Sequence, residues 1–336
     1  MQEAHPFSKF IAILARGKTK TRSFTLDESI ESMGMILRGE VVPEQVGAFL
    51  MLMRLKEETP EEIAGFALGA QSTMKLPDTI PAVDIDWSSY AGKRRQLPWF
   101  VLSALLLAKN GYKVFMHGTE GHTPGRVYTR ECLEALGFPI ANSLEDAARQ
   151  IARTNFAYVP LENIVPRLKD LIGLRPILGL RSPVHSFSRM LNPFNAPAMM
   201  QGIFHRGFMD VHAGAAQLMG QPNASVFRGE GGEIERRPNK PTEVWTTREG
   251  IEEPEVEFWP RLLESGHYDA DEHMDIADLA AVWRGEKAHE YAEASVTGTL
   301  AVALKLMGVV KSMDEAQALA ETMWADRDKN QLPVAA

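Results

Sequence analysis

Two short loops contain the charged and imidazole side chains that are best placed for chemistry. The first loop is YAGKRRQ, residues 90–96, and the second is MHGTEGH, residues 116–122. Their cations and imidazoles are Lys93, Arg94, Arg95, His117 and His122. Consecutive lysine and arginine side chains attract phosphate oxygens as point or forked charges. The two loops therefore predict a phosphate-binding cleft.

A helix and a strand separate these loops. The stretch PWFVLSALLLAKNG is apolar nearly all round, with Pro98 suited to the first helical turn and Gly111 to the C-terminal cap. Residues 113–117 then alternate as a strand does. The order loop, helix, strand, loop places both loops at one edge of a sheet, where open α/β folds bind their ligands. We therefore expect the cations of the first loop to face the histidines of the second.

The charge of the chain is uneven. The whole chain has a formal net charge of −8, but residues 91–248 contain 20 Lys and Arg against 12 Asp and Glu. The local field, rather than the net charge, decides what a cleft attracts. Beyond Lys93 to Arg95 and the two histidines, the candidate phosphate-binding residues in this region are Arg126, Arg175, Arg181, His185, Arg189, Arg236 and Arg237. The alternative is ordinary charge scatter with salt bridges between segments.

Several segments resemble the anthranilate phosphoribosyltransferase family, a group of glycosyl transferases (family 3) with a nucleoside-phosphorylase-type fold. The family's KHGNR loop is similar to residues 116–120, MHGTE, and its Leu-Gly-Pro-Leu…Asn-Pro segment is similar to residues 173–197. The helix RECLEALGF, residues 130–138, is also similar. The likeness covers roughly residues 8–325. The family includes a divergent YbiB-type branch, which this chain resembles and whose members bind nucleic acids.

The resemblance implies an α/β fold with two parts. A small all-helical domain would comprise residues 1–75, joined by roughly residues 163–197. A larger α/β domain with a mostly parallel central sheet flanked by helices would comprise residues 76–162 and 198–336. The alternation of helices with short apolar strands independently favours a parallel sheet. In the family the helical domain forms a homodimer contact, so a homodimer is expected.

The resemblance is weakest at the motifs that bind the donor. The family's Gly-rich GTGGD loop wraps a pyrophosphate with backbone N–H groups, whereas residues 90–96 keep only Gly92 and contain no carboxylate. The family's Asp-Glu metal motif is reduced to Glu235, with Ile234 at the position of the Asp and Arg236 beside it. Gly92, Gly118 and Glu235 are therefore interpreted as a vestigial donor site, and no residue is assigned a catalytic role.

The sequence predicts no metal site and no cofactor, with Mg²⁺ expected only if the chain is a transferase. It has no H-x-x-x-H or C-x-x-C pattern. The single cysteine, Cys132, excludes an internal disulfide and suits a reducing compartment. No segment approaches the ~20 apolar residues of a transmembrane helix, so no membrane contact is expected. The cytoplasm is the expected location.

Local signals predict individual elements. Capping-box patterns begin helices at Thr25, Thr59 and Ser312. Residues 155–161 and 242–247 read as strands, and residues 199–220 as a helix-rich segment. The acidic stretch from residue 251 to residue 278 reads as a solvated face.

Three functions are compatible with the sequence. The main hypothesis is a nucleic-acid-binding protein on a phosphoribosyltransferase scaffold, which binds DNA or RNA through phosphates with weak sequence specificity. The alternative is a phosphoribosyl or glycosyl transferase with altered donor and acceptor sites, in which His117, Gly118, Arg175 and Glu235 remain of the donor site. The third is a scaffolding dimer, for which the sequence offers nothing specific.

Overall fold

The computed structural model describes residues 3–17, 19–271 and 273–331. At its centre is a sheet of seven strands in the order β3-β2-β1-β4-β5-β6-β7. The first five strands along the chain are parallel, and β6 and β7 extend the sheet with antiparallel pairings. The strands are β1 Ile85–Ser89, β2 Val114–Gly118, β3 Phe156–Pro160, β4 Ala198–Ile203, β5 Asn223–Arg228, β6 Thr242–Arg248 and β7 Glu255–Trp259.

Fourteen α-helices lie in the described part of the chain. They are α1 Ser8–Ala15, α2 Leu26–Leu37, α3 Pro43–Lys56, α4 Pro60–Gln71, α5 Phe100–Lys109, α6 Thr129–Ala135, α7 Leu144–Thr154, α8 Pro166–Gly173, α9 Arg175–Leu178, α10 Val184–Phe187, α11 Met209–Leu218, α12 Ala277–Arg284, α13 Glu290–Leu306 and α14 Met313–Ala325. The expected architecture is confirmed, because a small helical part accompanies a larger, mostly parallel α/β part.

The predicted helix starts at Thr25, Thr59 and Ser312 are confirmed. At each, the side-chain oxygen accepts a hydrogen bond from a backbone N–H in the first turn, and the glutamate three residues later accepts one from the backbone N–H of the cap. This reciprocal pair satisfies two of the N–H groups that a helix start leaves without a partner. These helix starts are therefore fixed by residues within a single turn.

Both faces of the sheet are covered by apolar side chains, which explains why its strands read as continuous apolar runs. One core joins α1–α4 and α8–α10 to the face that presents Phe115 and Val159, and Phe66 of α4 lies 5.6 Å from Phe187 of α10 between ring centroids. The other core joins α5, α13 and α14 to the opposite face. The packing thus fixes the helical part beside the sheet; the exact domain boundaries given above stay predictions.

One segment differs from the sequence-based expectation, and a second, the acidic stretch, contains a strand whose residues are mostly exposed. The segment from 199 to 220, predicted to be helix-rich, begins with most of strand β4, and the acidic stretch after 251 contains strand β7. In β4 the run AMMQGI is buried on both faces, so it lacks the alternation that marks a strand. In β7 the acidic residues lie on an edge strand, where charged side chains are common.

Among the residues that the structure describes, no helix combines the length and the apolar character needed to cross a bilayer.

Candidate functional site

The two loops lie side by side at the carboxyl edge of the parallel strands, as the sequence predicted. Strand β1 ends at Ser89, and Ser89 pairs with Gly118 at the end of β2. Gly118 has no room for a side chain, because a Cβ would lie 2.0 Å from the Ser89 carbonyl oxygen. The close approach of these strand ends brings residues 90–96 and 119–126 to one cleft.

Lys93 does not face this cleft. Its side chain is fully buried, and its Nζ donates to Glu235 Oε1 and lies 3.2 Å from Glu230 Oε2. Burial acts to lower the pKa of Lys93, but the charges of Glu235, Tyr291 and Glu230 outweigh it and raise the pKa above its ordinary value. Lys93 is therefore a charged partner inside the protein. The expectation that Lys93 presents its charge to a phosphate in the cleft does not hold, because its side chain is buried.

Glu233 occupies the backbone donors that a phosphate-binding loop would use. Its Oε2 accepts hydrogen bonds from the N–H groups of Ala91, at 3.0 Å, and Gly92, at 2.6 Å. Its Oε1 accepts one from its neighbour Ile234 at 2.9 Å, and the residue is fully buried. Converging N–H groups of this kind form an anion-binding nest. The nest exists here, but a carboxylate of the same chain fills it.

Glu230 and Glu235 complete this arrangement. Glu230 Oε1 accepts from the backbone N–H of Arg95 at 3.1 Å, and Glu235 Oε2 accepts from that of Phe100, the first residue of α5, at 2.9 Å. Burial raises the pKa of Glu235, and the charge of Lys93 opposes that rise. Three glutamates of one turn, residues 229–235, therefore accept hydrogen bonds from the loop of residues 90–96 and from the start of α5.

The turn itself explains how three carboxylates reach one loop. Gly231 and Gly232 have φ of 63° and 88°, in the left-handed region that favours glycine. At Gly229, a Cβ would lie 1.7 Å from the Glu233 carbonyl oxygen. The sequence GEGGEIE contains this spacing, but sequence reasoning assigned only Glu235 to the site. The roles of Glu230 and Glu233 depend on contacts with residues more than 130 positions away.

His117 is buried in a hydrogen-bonded network at the end of β2. Its Nε2 lies 3.1 Å from Asp86 Oδ1, and its Nδ1 lies 2.7 Å from the Tyr90 hydroxyl. In the tautomer that carries its proton on Nε2, the ring donates to Asp86 and Nδ1 accepts from the Tyr90 hydroxyl. With both nitrogens in use and no exposed edge, His117 positions the loop. It does not line the cleft as expected.

Three of the predicted arginines lie beside the two loops, and two of them contact the Thr123 side chain. Arg175 Nη1 and Arg181 Nη2 donate to Thr123 Oγ1 at 3.1 and 3.0 Å, and Arg126 Nη1 donates to the Ala91 carbonyl at 2.7 Å. All three are half-buried. Burial, together with the charges of Arg126 and Arg175, lowers the pKa of Arg181. The structure thus brings these three predicted residues together at one cationic rim.

A cavity of about 150 Å³ opens beside this rim, between α10 and the turn after β4. Its charged lining consists of the cations Arg54, Arg181 and Arg189 and one carboxylate, Glu58, and the rings of His185, His212, Phe204 and Phe208 also line it. Within the described residues, the buried Nε2 of His185 and Oγ of Ser182 have no hydrogen-bond partner. Unsatisfied polar atoms in a positively charged cavity suit a small anionic group, since burial without a partner is costly.

Two neighbouring histidines, of which His185 lines this cavity, are held neutral. Burial, together with the charges of the neighbouring His122, Arg181 and Arg189, lowers the pKa of His185 to about 3. Burial also lowers the pKa of His122 to about 4, while its Nε2 lies 2.8 Å from the Tyr90 carbonyl. The two rings meet edge to face at 5.4 Å between centroids. Their low pKa values come first from burial and then from the positive charges of the surrounding arginines.

We predict a measurable pH effect from His185. An unfolded histidine has a pKa of about 6.5, so below that pH the unfolded state binds a proton that the native state does not. The contribution of His185 to stability is full above pH ~6.5 and is lost, by about 1.4 kcal/mol per pH unit, as the pH falls towards its folded pKa. In the wild type, the free energy of unfolding should therefore fall as the pH falls from 6 to about 4. In His185→Gln this slope should be smaller by about 1.4 kcal/mol per pH unit.

Urea unfolding at several pH values would measure this slope. Ser186→Ala, a neighbouring change that removes no titratable group, is the control and should leave the slope unchanged. An unchanged slope in His185→Gln would contradict the assignment.

The other predicted cations differ in burial: some are buried, one is half-buried and two are exposed. Arg189 is buried and donates to the carbonyls of Gly202 and Gly232, and burial lowers its pKa to about 10. Arg236 is 1% exposed, donates to the Pro260 carbonyl and lies over the Trp259 ring, so it does not line a groove as expected. Burial lowers the pKa of the half-buried Arg237. Arg94 and Arg95 are exposed.

Arg95 and Arg237 share a second cavity, of about 330 Å³. Lys240, His267, Tyr268 and Tyr291 also line it. Because it adjoins the loop of residues 90–96 and includes Glu230, this cavity is the part of the cleft that the internal carboxylates leave open.

The residues of the cleft do not fit a divalent cation. Within the described ranges, no group of three or more His, Cys, Asp or Glu side chains could hold a metal ion. Glu230 and Glu235 contact the Lys93 ammonium, and Glu233 accepts three backbone hydrogen bonds. Carboxylates engaged in this way are not available as ligands for Mg²⁺.

Two protein-family models match the chain. Residues 8–74 match the helical bundle domain of a glycosyl transferase family, and residues 100–326 match its a/b domain. The chain is 31% identical over 228 residues to an anthranilate phosphoribosyltransferase from Oleidesulfovibrio alaskensis, covering 67% of this chain and 68% of the relative. An anthranilate phosphoribosyltransferase from Dictyoglomus turgidum is 26% identical over 316 residues, or 91% of each chain.

Solved structures show the same fold. Anthranilate phosphoribosyltransferase from Thermus thermophilus superposes with a TM-score of 0.80 at 20% identity, over 98% of this chain and 97% of that one. The enzyme from Saccharomyces cerevisiae, in complex with PRPP (phosphoribosyl pyrophosphate) and Mg, superposes with a TM-score of 0.77 at 16% identity, over 98% and 96%.

These findings correct two expectations. The hypothesis of a nucleic-acid-binding protein is wrong, because the relatives are anthranilate phosphoribosyltransferases and three of the groove cations and imidazoles, Lys93, His117 and Arg236, are buried and internally bonded. The expectation of no cofactor is likewise unsupported, since a structural relative binds PRPP and Mg. The transferase alternative agrees better with both. The chain belongs to the anthranilate phosphoribosyltransferase-like glycosyl transferase family 3.

Proposed function

We propose that this chain is a glycosyl transferase of the phosphoribosyl type, with donor and acceptor sites that differ from those of anthranilate phosphoribosyltransferase. The observation that supports it most directly is the family match over residues 100–326. That range contains the second loop, Arg175 and the turn of residues 229–235, which together build most of the cleft. Fold alone would not establish a reaction, so the proposal rests on the family and on the site.

The donor would meet protein cations instead of a glycine cradle. In a phosphoribosyl transfer, the bond from the anomeric carbon to the leaving phosphate oxygen breaks as the bond to the acceptor forms, and the leaving diphosphate takes the electron pair. Positive side chains stabilise that developing charge. Arg95, Arg237 and Lys240 line the cavity of about 330 Å³ beside the filled nest, so we assign the diphosphate to them.

The acceptor would carry an anionic group into the smaller cavity. Arg181, His185 and the unpartnered Ser182 hydroxyl provide the polar contacts, and Phe204 and Phe208 provide apolar walls. A volume of about 150 Å³ admits only a small group, such as a carboxylate or a phosphate. The acceptor is therefore a small acid or one acidic end of a larger molecule.

Donor binding can be tested by thermal stability. A ligand that binds only the native state raises its stability by about 2.7 kcal/mol at a hundredfold excess over its Kd. Millimolar PRPP should therefore raise the Tm by several degrees, with or without Mg²⁺. The double variant Arg95→Ala and Arg237→Ala should lose most of this shift, whereas Arg284→Ala, an exposed cation on α12, should keep it.

A product assay completes the test. Pyrophosphate release from PRPP in the presence of small aromatic or phosphorylated acids would support transfer. If PRPP neither raises the Tm nor releases pyrophosphate with any acid, the transferase proposal fails.

A homodimer in the cytoplasm belongs to the same proposal. In its support, Ile11, Ala12 and Ala15 of α1 line an apolar groove together with Ala48 of α3. A sedimentation measurement that finds only monomer at micromolar concentration would exclude the dimer.

A further inference from the structure

The ammonium group of Lys93 lies between two carboxylates in the protein interior, beneath the loop of residues 90–96. Its side chain and that of Glu235 are 0% exposed, and that of Glu230 is 17% exposed. Both carboxylates lie within ion-pair distance of the same nitrogen, and one of them is in direct hydrogen-bond contact with it. Two acidic residues therefore converge on a single positive charge.

Other contacts hold these carboxylates in place. The second oxygen of Glu235 accepts the N–H of Phe100 at 2.9 Å, and the second oxygen of Glu230 accepts the N–H of Arg95 at 3.1 Å. The left-handed glycines Gly231 and Gly232 set the direction of the turn between them. The pair of carboxylates is thus organised by the backbone as well as by Lys93.

Convergent, backbone-oriented carboxylates are the ligands that hard divalent cations prefer. A lysine ammonium is a compact, strongly charged group with three donors, so it can satisfy the same oxygens. Unlike a metal ion, it is covalently attached and cannot dissociate. The neighbouring nest shows the complementary substitution, because the Glu233 carboxylate occupies donors that would otherwise bind a phosphate.

We propose that Lys93 is a built-in replacement for a divalent cation between Glu230 and Glu235, so that this cleft binds its ligands without a metal ion. The geometry accounts for the absence of a metal-binding group among the described residues of the cleft, since the two best-placed carboxylates already have a cation. The proposal concerns metal binding alone and stands whether or not the chain proves to be a transferase.

Mn²⁺ titration followed by electron paramagnetic resonance tests the proposal on the full chain, because bound Mn²⁺ loses the sharp signal of the free ion. The wild type should bind no Mn²⁺ in the cleft at millimolar metal. Lys93→Ala should bind one Mn²⁺ per chain. Adding Glu230→Gln to that variant should weaken binding by at least about tenfold, since it removes a ligand. Lys311→Ala, which removes an exposed lysine outside the cleft, should behave as the wild type.

Two outcomes would overturn the proposal. One is a wild-type protein that binds one Mn²⁺ and loses it on Glu230→Gln; the other is a folded Lys93→Ala protein that binds none. If Lys93→Ala does not fold without metal, the titration is replaced by a refolding experiment. The refolding yields of Lys93→Ala and Lys93→Ser are then measured with and without Mn²⁺. A yield that rises with Mn²⁺ in either variant supports the proposal, and a yield that Mn²⁺ leaves unchanged overturns it.

Discussion

Replacing Lys93 with methionine is expected to lower the free energy of unfolding by about 3–5 kcal/mol. Methionine keeps most of the volume of the lysine stem, so little of the loss comes from packing. The loss arises because Glu235 stays fully buried with its charge uncompensated, and the partly buried Glu230 loses the same partner. Removing one member of a buried ion pair costs far more than the pair contributes.

Urea unfolding of the variant measures this loss. Adding Glu235→Gln to Lys93→Met should recover a large part of it, because the buried negative charge is then removed as well. Lys9→Met is the matched control: Lys9 also pairs with a glutamate, Glu31, but both side chains are more than half exposed, so the change should cost less than about 1 kcal/mol. Equal losses in Lys93→Met and Lys9→Met would contradict the buried pair.

Gly118→Ala is expected to destabilise the protein by about 3 kcal/mol, at the upper end of the cost of overpacking. The new Cβ would lie 2.0 Å from the carbonyl oxygen of Ser89 and 3.2 Å from the Tyr158 hydroxyl oxygen. Ser89 belongs to the neighbouring strand of a buried sheet, so the contact can be relieved only by separating the strand ends. That separation would also move the two loops of the cleft apart.

Gly47→Ala provides the control for this change. Gly47 lies inside α3, and no heavy atom comes within 4 Å of the Cβ that would be added. The substitution should therefore stabilise the protein by roughly 0.5–1 kcal/mol, the usual preference for alanine over glycine in a helix. Thermal unfolding of both variants should show shifts of opposite sign. A Gly118→Ala protein as stable as the wild type would mean that the strand ends are not in close contact.

The sequence by itself determined the elements that depend on near neighbours. The capping boxes at Thr25, Thr59 and Ser312 join residues three positions apart, and α5 follows from a continuous apolar run between Pro98 and Gly111. The order of these elements also predicted that the loops after β1 and β2 lie at one edge of the sheet. Local patterns suffice for such features because the interacting groups lie on the same or the next element.

Only the tertiary structure decided which charged side chains face solvent. Lys93 and Glu235 are 142 positions apart in the sequence, and nothing near YAGKRRQ indicates that a carboxylate meets its lysine. Arg94 and Arg95, the next two cations of the same loop, are exposed, whereas Lys93 is buried. Charge counting treats these three residues alike. The fold distinguishes them, because the free energy of a buried charge depends on the partner that long-range packing brings to it.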